Sequence, residues 1–179
     1  MTSEADRQLL LRIAREAIAA HMRGNRPLVP ELADVLNRPS GAFVTIHRNG
    51  KLRGCIGHIQ ADGLLGVVVP ECAVAAAISD PRFPPVRAAD LGDLQVELSL
   101  LGPLEPVAFP NDIEIGRHGL LIERGGRRGL LLPQVATEWR WDAETFLAQT
   151  CHKAGLPLDA WKHGATLWRF EAEVFGEGR

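Results

Sequence analysis

A chain of 179 residues, 46% of them hydrophobic, can bury one core, or two lobes sharing one, since single domains commonly run to about 200 residues. A formal net charge of −2 supplies no clustered basic face, so nucleic acid is not an expected partner. No stretch approaches the ~18 apolar residues of a membrane span, and the first residues lack a basic segment followed by an apolar run, so neither membrane insertion nor export is expected.

In chain order, Ser3 with Asp6 three residues on marks a helix start, and Leu9, Leu10, Ile13, Ala17 and Ile18 recur at helical spacing through about Met22. Pro27, Pro30 and Pro39 punctuate a connection, with a short helix expected at 31–36. A half-alternating run at 42–46 predicts a strand, Asn49-Gly50 a type I′ hairpin turn, and Lys51-Leu52-Arg53 the return strand into Gly54-Cys55-Ile56-Gly57. Residues 64–79 are so apolar that a buried helix is expected, kinked or restarted at Pro70 and stopped at Asp80-Pro81. Residues 94–101 alternate as a strand with Val96, Leu98 and Leu100 inward, ended by Gly102-Pro103. A second hairpin comes next, 119–123 and 127–132 around Gly125-Gly126. Pro133 opens a short helix through Glu138, Asp142 caps another over 143–154 closed by Gly155, and 166–175 alternates as a last strand. Hairpins imply antiparallel pairing and no βαβ period recurs, so the fold class is α+β: an antiparallel or mixed sheet with flanking helices.

Chemistry is expected first at Gly54-Cys55-Ile56-Gly57. Its thiol lies between two glycines, two residues from the Arg53 guanidinium and three from the His58 imidazole. A thiol is nucleophilic only as thiolate, and a neighbouring cation or backbone N–H groups lower its pKa from about 8.5. Gly54 and Gly57 would let backbone approach a bound group closely. The competing reading is a small buried hydrophobe whose glycines permit a β-bulge. His118, at the start of the second hairpin, is the candidate base, provided the two hairpins share a sheet edge. Cys55-x-x-His58, Cys151-His152 and His163 offer metal-ligand types without ligand-pair spacing, so no metal is expected. Neither Gly54-x-x-Gly57 nor Arg124-Gly-Gly-Arg127 matches a phosphate loop and no G-x-S-x-G elbow occurs, so no cofactor is expected. Three cysteines, Cys55, Cys72 and Cys151, without a close-spaced framework point to reduced thiols and the cytoplasm.

Six segments taken together resemble the AMMECR domain family: LRGCIG at 52–57, DPRFPPV at 80–86, VELSLLGPLEPV at 96–107, GRHGLLI at 116–122, GLLLPQVATEW at 129–139 and FLAQTCHKAGL at 146–156. The resemblance runs over nearly the whole chain, 1–179. It implies a domain of a larger and a smaller lobe with a cleft between them. It also implies a setting shared with Memo-like and radical SAM proteins, and a functional site at LRGCIG, carried here by Arg53, Gly54, Cys55 and Gly57. No established reaction comes with it.

Three readings are open. In the first, the LRGCIG segment binds a partner protein or a small anionic ligand, with Arg53, Gly54, Gly57 and Arg82 as the binding residues. In the second, Cys55 is a thiolate nucleophile and His118 a proton carrier. In the third, residues 54–57 only shape the sheet.

Overall fold

A computed structural model describes residues 2–27 and 33–178. The chain divides into two compact units, 1–101 with 173–179, and 102–172.

The first unit opens with α1 (Glu4–Met22), whose Ser3 cap accepts the Asp6 N–H at 3.2 Å and whose Leu10, Leu11, Ile13, Ala14, Ala17 and Ile18 are buried. The beginning of the helix expected at 31–36 lies outside the described residues, and its remainder is one 3-10 turn, Asp34–Asn37. Strands β1 (Ala42–Arg48) and β2 (Lys51–His58) form the expected hairpin. Asn49 and Gly50 at its tip have φ of 52° and 73°, as a type I′ turn requires. β3 (Leu94–Leu101) pairs antiparallel with the other side of β1. Val44, Ile46, Val96, Leu98 and Leu100 on these strands are all buried in one core with residues of α1 and α2 (Leu65–Ile78).

The helix containing Pro70 corrects one of the two expected alternatives, the restart. It runs unbroken through the proline, which sits in its interior rather than in a first turn. Apart from the exposed Glu71 the helix is apolar, with Leu65, Val68, Val69, Cys72, Ala73, Ala76 and Ala77 buried. That burial outweighs one lost backbone hydrogen bond.

The last strand of the chain, β7 (Thr166–Gly176), serves both units in turn. The residue that follows it closes the first: the Glu177 N–H donates to the Val96 carbonyl at 3.0 Å, and the Glu177 carboxylate accepts from Arg15 Nε and Nη2, both at 2.5 Å. Arg7, two helical turns before Arg15, bonds Glu173 at 2.7 Å. Two ion pairs thus fasten α1 to the end of the chain.

In the second unit, β4 (Glu105–Pro106) pairs with one side of β7, and the hairpin of β5 (His118–Arg124) and β6 (Arg127–Leu131) pairs through β5 with the other. Helices α3 (Pro133–Glu138) and α4 (Ala143–Lys153) complete it. Leu120, Phe146 and Leu147 form one buried cluster, and Ile122 and Cys151 belong to another. The antiparallel α+β class read from the sequence is the class observed.

One backbone position carries strain. The N–H groups of Arg140 and Trp141 donate to the Thr137 and Ala136 carbonyls, closing α3 in a Schellman motif. The residue that must then be left-handed is Arg140, at φ 54°, where a side chain costs about 1 kcal/mol or more. Replacing Arg140 by Gly is expected to stabilise the protein by roughly 0.5–1 kcal/mol after allowing for the freer unfolded chain, measured as a shift in the urea midpoint at unchanged slope.

Candidate functional site

The site begins with a register shift. From the hairpin tip, Arg48 faces Lys51 and His47 faces Leu52, but Ile46 faces Gly54, so Arg53 is an extra residue bulged out of the β1–β2 ladder. Beyond the bulge every β2 side chain has exchanged faces relative to an unshifted hairpin. Cys55 therefore stands opposite Thr45, on the face away from Val44 and Ile46 and the core they enter. The Thr45 hydroxyl donates to Cys55 Sγ at 3.3 Å, and the cysteine is half-buried.

Behind this strand, the chain leaving α2 returns its side chains to it. Asp80, with a side chain only 2% exposed, accepts the Cys55 N–H through Oδ2 at 2.9 Å. It also accepts the Arg82 N–H and Nε through Oδ1, at 3.1 and 3.0 Å, and Arg82 Nη2 through Oδ2 at 2.7 Å. The Arg82 guanidinium, helped by the backbone donors, holds the Asp80 carboxyl far below the usual carboxylate range despite its burial. The neighbouring ring of Phe83 collects two cations, with the guanidinium carbon of Arg82 5.4 Å and that of Arg53 5.9 Å from its centroid. Arg53 Nη1 is buried with no hydrogen-bond partner among the described residues. Arg82 is thus neutralised by Asp80, while Arg53 contributes the positive charge and the donor of the cluster.

The two glycines have packing roles. A side chain at Gly54 would meet the Ala76 carbonyl oxygen of α2 at 2.0 Å, and one at Gly57 would meet the ring of Phe43, its cross-strand partner, at 2.2 Å. The close approach expected at these positions is made by the protein's own helix and ring. The other cysteines are buried: desolvation pushes the Cys72 thiol up to about 11 and raises that of Cys151. Among the described residues no group of three or more His, Cys, Asp or Glu is placed to hold a metal ion, and no helix is long and apolar enough to cross a membrane.

His118 belongs to the second unit, Cys55 to the first. The imidazole is 6% exposed and its Nδ1 accepts the Glu114 N–H at 2.9 Å. Burial lowers its pKa, and Arg169 and Arg117 lower it further. Spacing alone does not reveal Thr45, because the bulge displaces Cys55 by one place. Asp80 is a readable signal, since an Asp two residues before an Arg just past a helix favours a side-chain-to-backbone turn; the prolines around it mask the pattern.

A sequence model of the AMMECR1 family matches residues 11–175. A protein of Methanothermobacter thermautotrophicus is 47% identical over 184 residues, spanning 98% of this chain and 96% of its own. Protein TK0174 of Thermococcus kodakarensis is 45% identical over 183 residues, spanning 95% and 89%. The crystal structure of Uncharacterized Protein PH0010 from Pyrococcus horikoshii superposes with a TM-score of 0.90 at 41% identity, covering 94% of this chain and 90% of that one.

The geometry sets two expected outcomes. Gly54→Ala sets a methyl group against a helix carbonyl that cannot turn aside, and is expected to cost about 3 kcal/mol or more in urea unfolding; Gly57→Ala, opposed by a ring that can rotate, costs less. The depressed Asp80 carboxyl contributes stability that is present above about pH 4 and is lost as the pH falls toward its folded-state value. Asp80→Asn is therefore expected to be about 2 kcal/mol less stable at pH 7, a low figure for a charge pair because the Arg82 side chain is 49% exposed. Its stability should also fall less steeply than the wild type's below pH 4, measured by denaturation across pH.

Proposed function

The chain belongs to the AMMECR1 family, and from that premise we propose that it is a binding component. The bulged strand at 52–58 recognises an anionic group, carried by a small ligand or presented by a partner protein. The observation that carries this reading is the buried, unpartnered Nη1 of Arg53, on a guanidinium ranged against Phe83 beside an Arg82 already occupied by Asp80. Leaving such a donor unmet costs about 1–3 kcal/mol, which an oxyanion admitted by a shift of the Arg53 side chain would recover. The partner class is the Memo-like and radical SAM proteins that the family resemblance implies, and the setting is the cytoplasm, in keeping with three cysteines outside any disulfide.

The hydrogen bond from Thr45 to Cys55 Sγ favours a second reading, because a donor to sulfur stabilises thiolate over thiol. In it Cys55 attacks an electrophile that the arginines hold. If Cys55 does neither, residues 54–57 shape the sheet only.

Titration with orthophosphate and with citrate, monitored by calorimetry at low salt, separates these readings. Binding should saturate in the millimolar range, weaken about tenfold in Arg53→Gln and survive in Cys55→Ser. Alkylation of Cys55 by iodoacetamide with a pH midpoint well below about 8.5 would establish the thiolate reading instead. Neither anion binding nor a lowered midpoint, in a folded protein, would leave the structural reading alone.

A further inference from the structure

The second unit contains a polar pocket of about 400 Å³ whose lining includes His118, Glu114, Glu171, Arg117 and Arg169, and anion recognition at the bulged strand makes no use of it. The histidine in it is held from two sides. Glu114 donates its N–H to Nδ1 at 2.9 Å, and accepts the N–H of His118 at its own carbonyl at 3.0 Å. A ring nitrogen that accepts carries no hydrogen, so the neutral imidazole keeps its proton on Nε2. Burial and the two nearby guanidiniums favour that neutral form. The residue is 6% exposed, yet Nε2 takes no hydrogen bond among the described residues and is not sealed from solvent. The pocket therefore contains one fixed, unused N–H donor.

Acceptors gather beside it. Glu171 is the cross-strand partner of His118, and Arg117 ties Glu171 to Glu114, bonding Glu171 Oε1 at 2.8 Å and Glu114 Oε2 at 3.1 Å. Arg117 makes no hydrogen bond to the second oxygen of either carboxylate, and both side chains are more than half exposed. On the other side Arg169 is occupied by Glu105 Oε2, at 3.0 and 2.9 Å, and by the Asp112 carbonyl. Glu105, Asp112, Glu114 and Glu171 outnumber the two arginines, so the pocket is negative overall.

A free anion is repelled by such a pocket, and a bare cation leaves the Nε2–H without an acceptor. The geometry points to a site for a primary ammonium group with a carbonyl oxygen on the adjoining carbon, the ammonium held by Glu114 and Glu171 and the carbonyl accepting from His118 Nε2. Two sources share that chemistry, the N-terminus of a peptide and a free α-amino acid. The excess of carboxylates favours the peptide end, which adds no carboxylate of its own. The site lies in the second unit and does not depend on the Cys55 reading.

The test is NMR observation of the His118 ring while the folded full chain is titrated with alaninamide, alanine, propylamine and N-acetylalaninamide. Alaninamide should shift the Nε2 and Hε1 resonances saturably, with a Kd of roughly 1–10 mM. Alanine should bind more weakly if the peptide end is the natural source, and as tightly or more so if the free amino acid is; either order supports the site. Glu171→Gln, a surface change that leaves the fold intact, should weaken alaninamide about fivefold, and His118→Gln, followed through the backbone amide resonances of Glu114 and Glu171 because the ring is gone, should weaken it while leaving propylamine unaffected. Propylamine binding as tightly as alaninamide would overturn the proposal, as would binding of N-acetylalaninamide. So would the absence of any saturable shift up to about 50 mM.

Discussion

One extra residue in a β-ladder controls what the first unit presents to its surroundings. Without the bulge at Arg53, the two-residue turn at Asn49-Gly50 would set Cys55 opposite Val44, and its sulfur would enter the core beside α2. With the bulge, the sulfur turns to the face of Thr45. The same shift brings Gly54 opposite Ile46, on the face that α2 covers, where the Ala76 carbonyl leaves no room for a side chain. A glycine is thus the condition for the bulge, and the bulge is the condition for a thiol turned away from the core.

The charge arrangement depends on that placement. Asp80 lies just beyond the end of α2 and bonds the Cys55 N–H, so the same carboxylate that secures the edge strand also secures Arg82. This leaves the two arginines unequal. One is matched by a buried carboxylate, while the other is bulged out of the ladder, ranged over Phe83, with a donor still to satisfy. Phe83 gives both guanidiniums an apolar and weakly attractive support, which limits the cost of holding two cations on one ring. An arrangement of this kind favours recognition of an oxyanion more than it favours proton transfer, because its one carboxylate is already bonded to Arg82 and to the Cys55 N–H while the Arg53 guanidinium has a donor to offer.

Much of the fold is legible in the sequence because its signals are local. The Ser3 cap with its apolar stripe, the two hairpin turns, and the Asp142 cap with Gly155 each depend on residues within a few places of one another, and the elements they predict are found. Pro70 misleads for the complementary reason: its local penalty is outweighed by burial contributed from distant parts of the chain. Arg140 stands where glycine is the usual marker, so nothing at that position announces the turn that ends α3. At the site, Arg53, Cys55 and Arg82 are recognisable from charge and thiol chemistry alone. Thr45 and Phe83 are not, because they reach the site through a shifted register and a chain reversal that spacing does not encode. His118 has its bonded partner at Glu114, within its own unit, and burial with the nearby Arg169 and Arg117 favours its neutral form.

The register of one hairpin decides whether a site exists at this strand, and cross-strand NOEs measured on labelled protein read it directly. Close backbone-proton contacts between Cys55 and Thr45, together with the pairing of Gly54 with Ile46, are the predicted result. Contacts placing Cys55 opposite Val44 would return the sulfur to the core and remove the basis for any chemistry or recognition there.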